Sequence, residues 1–216
     1  VTTVQRQEPV LPVQRLDWLI SLRHSRAITV GATTNFLAIL LCARHTVVLQ
    51  LIDLLMNDFT ISPAQPSDID ALNDLMFALH DEHHQQCPEF FKTAEEIEQE
   101  KSIARYLDDP ECLVFVAKRG EEVIGFVSGH FCELISTVSQ PLPMGSVDEL
   151  FVVNTYRHQG IAQTLLQKIE QTFTDYGVSQ VFVEVWHFNQ NAIALYQKSG
   201  FQHHIHWLRK ALTSGK

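Results

Sequence analysis

The chain contains no C-x-x-C pair, no cluster of lysines and arginines, and no apolar run of the roughly 18 residues that a membrane-spanning helix needs. Its four cysteines, Cys42, Cys87, Cys112 and Cys132, stand far apart, which argues against a disulfide framework and against a cysteine zinc site. The two most apolar stretches stop early, at Arg44-His45 and at Asp53, so no membrane association is expected. No small-x-small cleavage site follows the arginines ahead of them, and a reducing, cytoplasmic location is expected. Two phosphate-binding fingerprints are also missing, G-x-G-x-x-G and G-K-[ST], which removes the commonest nucleotide-binding folds. Positive charge is scarce. Of 16 Lys and Arg and 25 Asp and Glu, five and three precede Met56, so the rest of the chain carries 11 basic against 22 acidic residues. A surface of that sign repels phosphate backbones and attracts small cations, so no nucleic-acid partner is expected.

What is present fits one folded domain. At 216 residues and 45% hydrophobic content the chain buries one sizeable core with an appendage. Residues 1–55 hold no methionine and no sustained period, and Met56-Asn57-Asp58 leads into the first strand-like run. We expect residues 1–55 to be an N-terminal extension outside the folded domain, which spans residues 56–216, with Met56 as the initiator.

From Phe59 the pattern alternates. A short strand over Phe59 to Pro63 precedes a helix entered at Ser67, with Ile69, Leu72, Leu75, Met76 and Leu79 at helical spacing. A second helix opens with Thr93-Ala94-Glu95-Glu96, a capping box, and is predicted to run to about Leu107. Cys112 to Lys118 and Val123 to Phe131 read as a hairpin joined through Arg119-Gly120-Glu121-Glu122. After a loop with Pro141 and Pro143, a strand is predicted over Val147 to Val153. A helix starts at Gly160 with Ile161, Leu165, Leu166, Ile169 and Phe173 on one face. A fifth strand over Gln180 to Trp186, a helix from Asn189 to Lys198 and a final strand from Phe201 to about Leu208 complete the series. The expected fold class is α/β, a twisted mixed sheet with helices on both faces.

The chemistry concentrates where the strand at Leu150-Phe151-Val152-Val153 turns through Arg157-His158-Gln159-Gly160-Ile161-Ala162 into a helix. The first amides of a helix lack internal partners and sit at the positive end of its dipole, and the small Gly160 and Ala162 let an anion approach the main chain. Read alone, this is either a pyrophosphate seat or an ordinary strand-to-helix corner. Downstream stands Asn189-x-x-Ala192-x-x-x-Tyr196-x-x-x-Gly200-Phe201. Together the two segments resemble the GNAT acetyltransferases, whose pattern is a strand, an [QR]-x-x-G-x-[GA] turn with its helix, another strand, and N-x-x-A-x-x-x-Y-x-x-x-G-F. The resemblance covers roughly Phe59 to Leu208.

It implies a GNAT fold and transfer of an acetyl group from acetyl-CoA to a primary amine by direct attack, without an acyl-enzyme. Amides of His158, Gln159, Gly160, Ile161 and Ala162, in the turn opened by Arg157, are implied to bind the pyrophosphate. The backbone at Phe151, Val152 and Val153 is implied to pair with the pantetheine arm, which Asn189 contacts. Tyr196, otherwise a core aromatic, is implied to protonate the leaving thiolate. A phenol of pKa about 10 remains protonated at neutral pH beside a thiol of about 8.5. Asp148 and Glu149 resemble the acidic pair of polyamine-type acetyltransferases. Strand alternation predicts that at most one of them faces the cleft to assist deprotonation.

The resemblance calls for no metal, although His80, His84 and Cys87 have helical spacing; they are expected to border the acceptor pocket instead. The acceptor is expected to be a small cationic amine, with a protein N-terminus or lysine as the alternative, and nothing in the pattern fixes a homodimer. A binding module of another class, holding acyl-CoA as a sensor without turnover, is the rival reading.

Overall fold

The computed structural model describes residues 58–134 and 140–210; the expected extension and the Met56 start lie outside the described residues. Ten elements follow in order: β1 (Thr60–Pro63), α1 (Ile69–Gln86), α2 (Ala94–Glu100), α3 (Ile103–Asp108), β2 (Cys112–Arg119), β3 (Glu122–Leu134), β4 (Leu142–Val152), α4 (Ile161–Asp175), β5 (Val181–Val183) and α5 (Gln190–Lys198). The strands form one sheet in sequence order, antiparallel throughout except for the parallel β4–β5 pair. This is the expected mixed α/β sheet.

Alternation along the strands divides the core in two. Phe115 and Ala117 of β2, with Ile124, Val127, Val147 and Val152, receive the five apolar residues of α4 on one face. Val114 and Val116, with Phe126 and Phe151, receive Leu72, Leu75 and Met76 of α1 and Ile103 of α3 on the other. Each buried Val, Leu, Ile, Phe or Met side chain among them contributes about 1.5–3 kcal/mol, so both faces are held firmly. Asp68, buried just before α1, accepts a 2.6 Å hydrogen bond from Lys118 of β2 and fixes where that helix starts.

Four expectations need correction. The fifth strand, expected over Gln180 to Trp186, is only Val181–Val183. The predicted single helix from Thr93 to Leu107 is two helices. The capping box at its start is present, Glu96 N donating to Thr93 Oγ1 at 3.3 Å and Thr93 N to Glu96 Oε2 at 2.9 Å. Lys101 then leaves helical conformation (φ −125°, ψ 122°), and Ser102 caps α3 through Ala104 N. β4 begins at Leu142, inside the stretch read as a proline loop. Pro143 is tolerated because at that end β4 pairs only with β3, leaving its other side an edge. The final strand is absent: residues 201–210 carry no regular structure, and Trp207 and Leu208 are 87% and 95% exposed. Its β-prone alternation pairs with no strand among the described residues, and β5, at the edge of the sheet, offers only three residues.

Candidate active site

β3 and β4 fall out of step at one place. Ser128 pairs with Glu149 and Gly129 with Val147, so Asp148 is a surplus residue, a β-bulge. Gly129 is required opposite it, because a Cβ there would lie 2.3 Å from the Ser146 carbonyl oxygen and 2.9 Å from Ile169. The bulge overturns the expectation drawn from alternation. Val147 faces α4, whereas Asp148 and Glu149 both turn to the α1–α3 face, the former bonded to His130 and Ser146, the latter to Lys101 and Ser128.

The bulge also marks where the sheet opens. β4 pairs with β5 only over Gly145–Val147, while its pairing to β3 continues to Val152. From Asp148 onward the β5-facing edge of β4 is therefore without a strand neighbour among the described residues. Two polar groups of the segment implied to meet the pantetheine arm are already engaged: Val153 N–H donates to Ile124 O at 3.0 Å, and Val152 O accepts from Arg157 Nε at 2.8 Å.

Each carboxylate carries its own cation. Glu149 is 6% exposed, accepting from Lys101 Nζ and from Ser128 Oγ, which is fully buried. Asp148 is hydrogen-bonded to His130 Nδ1 at 2.7 Å and accepts from Ser146 Oγ at 2.9 Å. The hydrogen bonds of His130 to Asp148 and then Cys132 outweigh burial and raise its pKa to about 10, so it is an imidazolium at neutral pH. Nearby on α1, burial and then the charge of Lys101 lower His80 to about 4, leaving it neutral. His84 is held to Phe91 O at 2.9 Å through Nδ1, and Cys87 is the C-cap of α1.

At the β4–α4 corner the main chain takes two left-handed residues, His158 (φ 64°) and Gly160 (φ 83°), the second acting as N-cap of α4. Glycine serves there for its backbone freedom rather than for close packing, since a Cβ would meet nothing within 4 Å. No side chain caps α4, so its first amides keep their hydrogen-bonding capacity. Arg157 turns back instead of toward the turn: Nη2 donates to both oxygens of Glu82, at 2.8 and 3.0 Å, and the guanidinium lies 5.3 Å from the Phe151 ring centroid. It ties α1 to the end of β4.

Tyr196, 8% exposed, packs in the α4-side core with Phe201 at 5.5 Å between ring centroids. Burial pushes its phenol up to about 12. Asn189 caps α5, its Oδ1 accepting from Ala192 N at 3.1 Å, which leaves its NH2 group for any ligand. Glu149 and Tyr196 thus belong to opposite faces of the sheet.

Residues 76–201 match the Acetyltransferase (GNAT) family. The chain belongs to the GNAT acetyltransferases. An acetyltransferase from Vibrio fischeri has 54% identity, with 59% of this chain and 96% of that one covered at a TM-score of 0.50. An N-alpha-acetyltransferase of Saccharolobus solfataricus is 29% identical over 150 residues, 67% of this chain and 81% of that protein. A Bacillus halodurans protein with 19% identity, covering 71% of this chain and 99% of its own, shares the fold at a TM-score of 0.64. As a GNAT member the chain is an acyltransferase enzyme, and acetyl-CoA is the cosubstrate of its family. Among the described residues, no helix is long and apolar enough to cross a membrane.

Sequence reasoning missed Lys101, Ser128, His130 and Glu82 as neighbours of the GNAT motif residues. One signal was legible: Ser102 ahead of Ile103-Ala104-Arg105 is a helix start, and it implies the break that carries Lys101.

Proposed function

We propose that this GNAT enzyme moves an acetyl group from acetyl-CoA directly onto an amine, with no acyl-enzyme, in the opening between β4 and β5. The observation that carries the reading is the open edge of β4, which begins at the bulge bearing two carboxylates and ends at the uncapped α4 turn. The residues fit the cosubstrate. The amides of the His158 to Ala162 turn would hold its pyrophosphate at the positive end of the α4 dipole, and the Val152 N–H, which lies on the side of β4 away from β3, would hold its arm together with the Asn189 NH2. Acetyl-CoA supplies an activated thioester.

The protein's own residues manage the protons. Glu149 receives the proton that an alkylammonium must lose before its nitrogen can attack, and Asp148, tied to the His130 imidazolium, helps define the polarity of that face. Tyr196, protonated throughout the neutral range, approaches from the α4 side and gives its proton to the sulfur as the carbon–sulfur bond breaks; the proton that the newly acylated nitrogen loses restores the phenol through solvent, so amide and free thiol leave.

Two acceptor classes follow. The acidic surface favours a small cationic amine. The likeness to proteins named N-alpha-acetyltransferase favours a peptide α-amine, and that reading gains from the compensation of both carboxylates by internal cations. The test is release of free thiol from acetyl-CoA with a panel of diamines, aminoglycosides and peptides. Tight acetyl-CoA binding without thiol release from any member of the panel would replace transfer by a sensor role.

A further inference from the structure

Glu149 already holds an alkylammonium, and it belongs to the protein. Lys101 Nζ bonds to Glu149 Oε1 and stands 5.6 Å from the centroid of the Tyr106 ring. A carboxylate beside an aromatic face is the pair of groups that recognises an ammonium ion. A break in the helix makes this seat: α2 ends at Glu100, Lys101 takes extended backbone, and Ser102 caps the start of α3. Lys101 remains 35% exposed at its side chain while Glu149 is 4% exposed, so the lysine can leave and the carboxylate cannot.

We propose that Lys101 is a resident competitor for the acceptor's ammonium position, and that it sets acceptor class by favouring amines that arrive largely neutral over strongly basic ones. This rests on the reading of Glu149 as the carboxylate that receives the acceptor. A diamine of pKa near 10 reaches the site as a cation and must displace Lys101. A peptide α-amine, of pKa about 8, is partly neutral at physiological pH and enters beside the intact pair.

The experiment compares the full chain with Lys101→Met and Lys101→Arg at saturating acetyl-CoA, using 1,4-diaminobutane and an alanyl dipeptide amide as acceptors. Lys101→Met should lower KM for the diamine by about tenfold and leave KM for the dipeptide within about threefold, with KM for acetyl-CoA unchanged. Lys101→Arg should raise KM for the diamine, because a guanidinium grips a carboxylate with two parallel bonds. The opposite signs separate competition from a structural role, which moves both variants and both acceptors together. If Lys101→Met folds poorly, the arginine variant decides alone. An unchanged ratio of the two acceptors' kcat/KM in the variants overturns the inference while leaving transfer intact. Wild-type protein that releases no thiol with any amine removes the underlying reading, and this inference with it.

Discussion

Replacing Tyr196 by Phe removes one oxygen from a ring that keeps its place. The ring stays against Phe201 and in the α4-side core, and the hydroxyl makes no hydrogen bond to the protein among the described residues. Folding stability should therefore change by less than about 1 kcal/mol. Catalysis should not be spared. A positioned general acid contributes about 10²–10⁴-fold, so kcat should fall by that factor while the acetyl-CoA-induced rise in melting temperature persists. The assay is thiol release followed with a chromogenic disulfide at fixed saturating amine, alongside thermal melts with and without acetyl-CoA. A kcat within about threefold of wild type refutes proton donation and returns Tyr196 to a packing role. A variant that loses the acetyl-CoA shift as well refutes the premise that the ring keeps its place.

Further outcomes follow from the same geometry. Because burial holds the Tyr196 phenol at about 12, above the unfolded value near 10, the neutral form is favoured by folding; stability is full below pH 10 and declines toward pH 12, by about 3 kcal/mol, a decline absent in alkaline denaturation of Tyr196→Phe. His130, raised to about 10 by Asp148, should titrate by NMR well above 6.5; its contribution to stability is complete below pH 6.5 and disappears as pH rises through 10. Asp148→Asn should return its midpoint toward 6.5, and a wild-type midpoint near 6.5 contradicts the ion pair. Gly160→Ala forces a Cβ into left-handed backbone at φ 83°, costing about 1–2 kcal/mol in urea denaturation and weakening acetyl-CoA binding in titration calorimetry. Retention of full affinity would show that the turn is not the pyrophosphate seat.

The core of the fold was legible in the sequence because it obeys local periods. All five apolar residues assigned to the face of α4 are buried, and the Thr93 capping box and the hairpin at Gly120 stand where the residue types put them. The failures have a common physical origin in partnership over distance. The run 201–208 has strand composition but pairs with no strand among the described residues, and Pro143 was read as part of a loop although its position leaves one side of the strand unpaired. Lys101, Ser128 and His130 carry no local motif; they reach Glu149 and Asp148 across 48, 21 and 18 residues of sequence. Alternation failed at Asp148 because it presumes an unbroken ladder, and the decisive glycine lies on the other strand.

That single surplus residue divides β4 into two halves of opposite parity. Before it, odd positions such as Gly145 and Val147 face α4; after it, even positions such as Leu150 and Val152 do. Excision of Asp148 would leave every remaining apolar side chain of the strand on its present face, so both halves of the core would survive with a straight strand between them. What would vanish is the register shift between β3 and β4 that falls where the pairing with β5 ends. The integrity of the core and the break in parity are therefore separately encoded, the first by some twenty buried residues and the second by Asp148 with Gly129 opposite it, neither of which is among the buried apolar residues of the core.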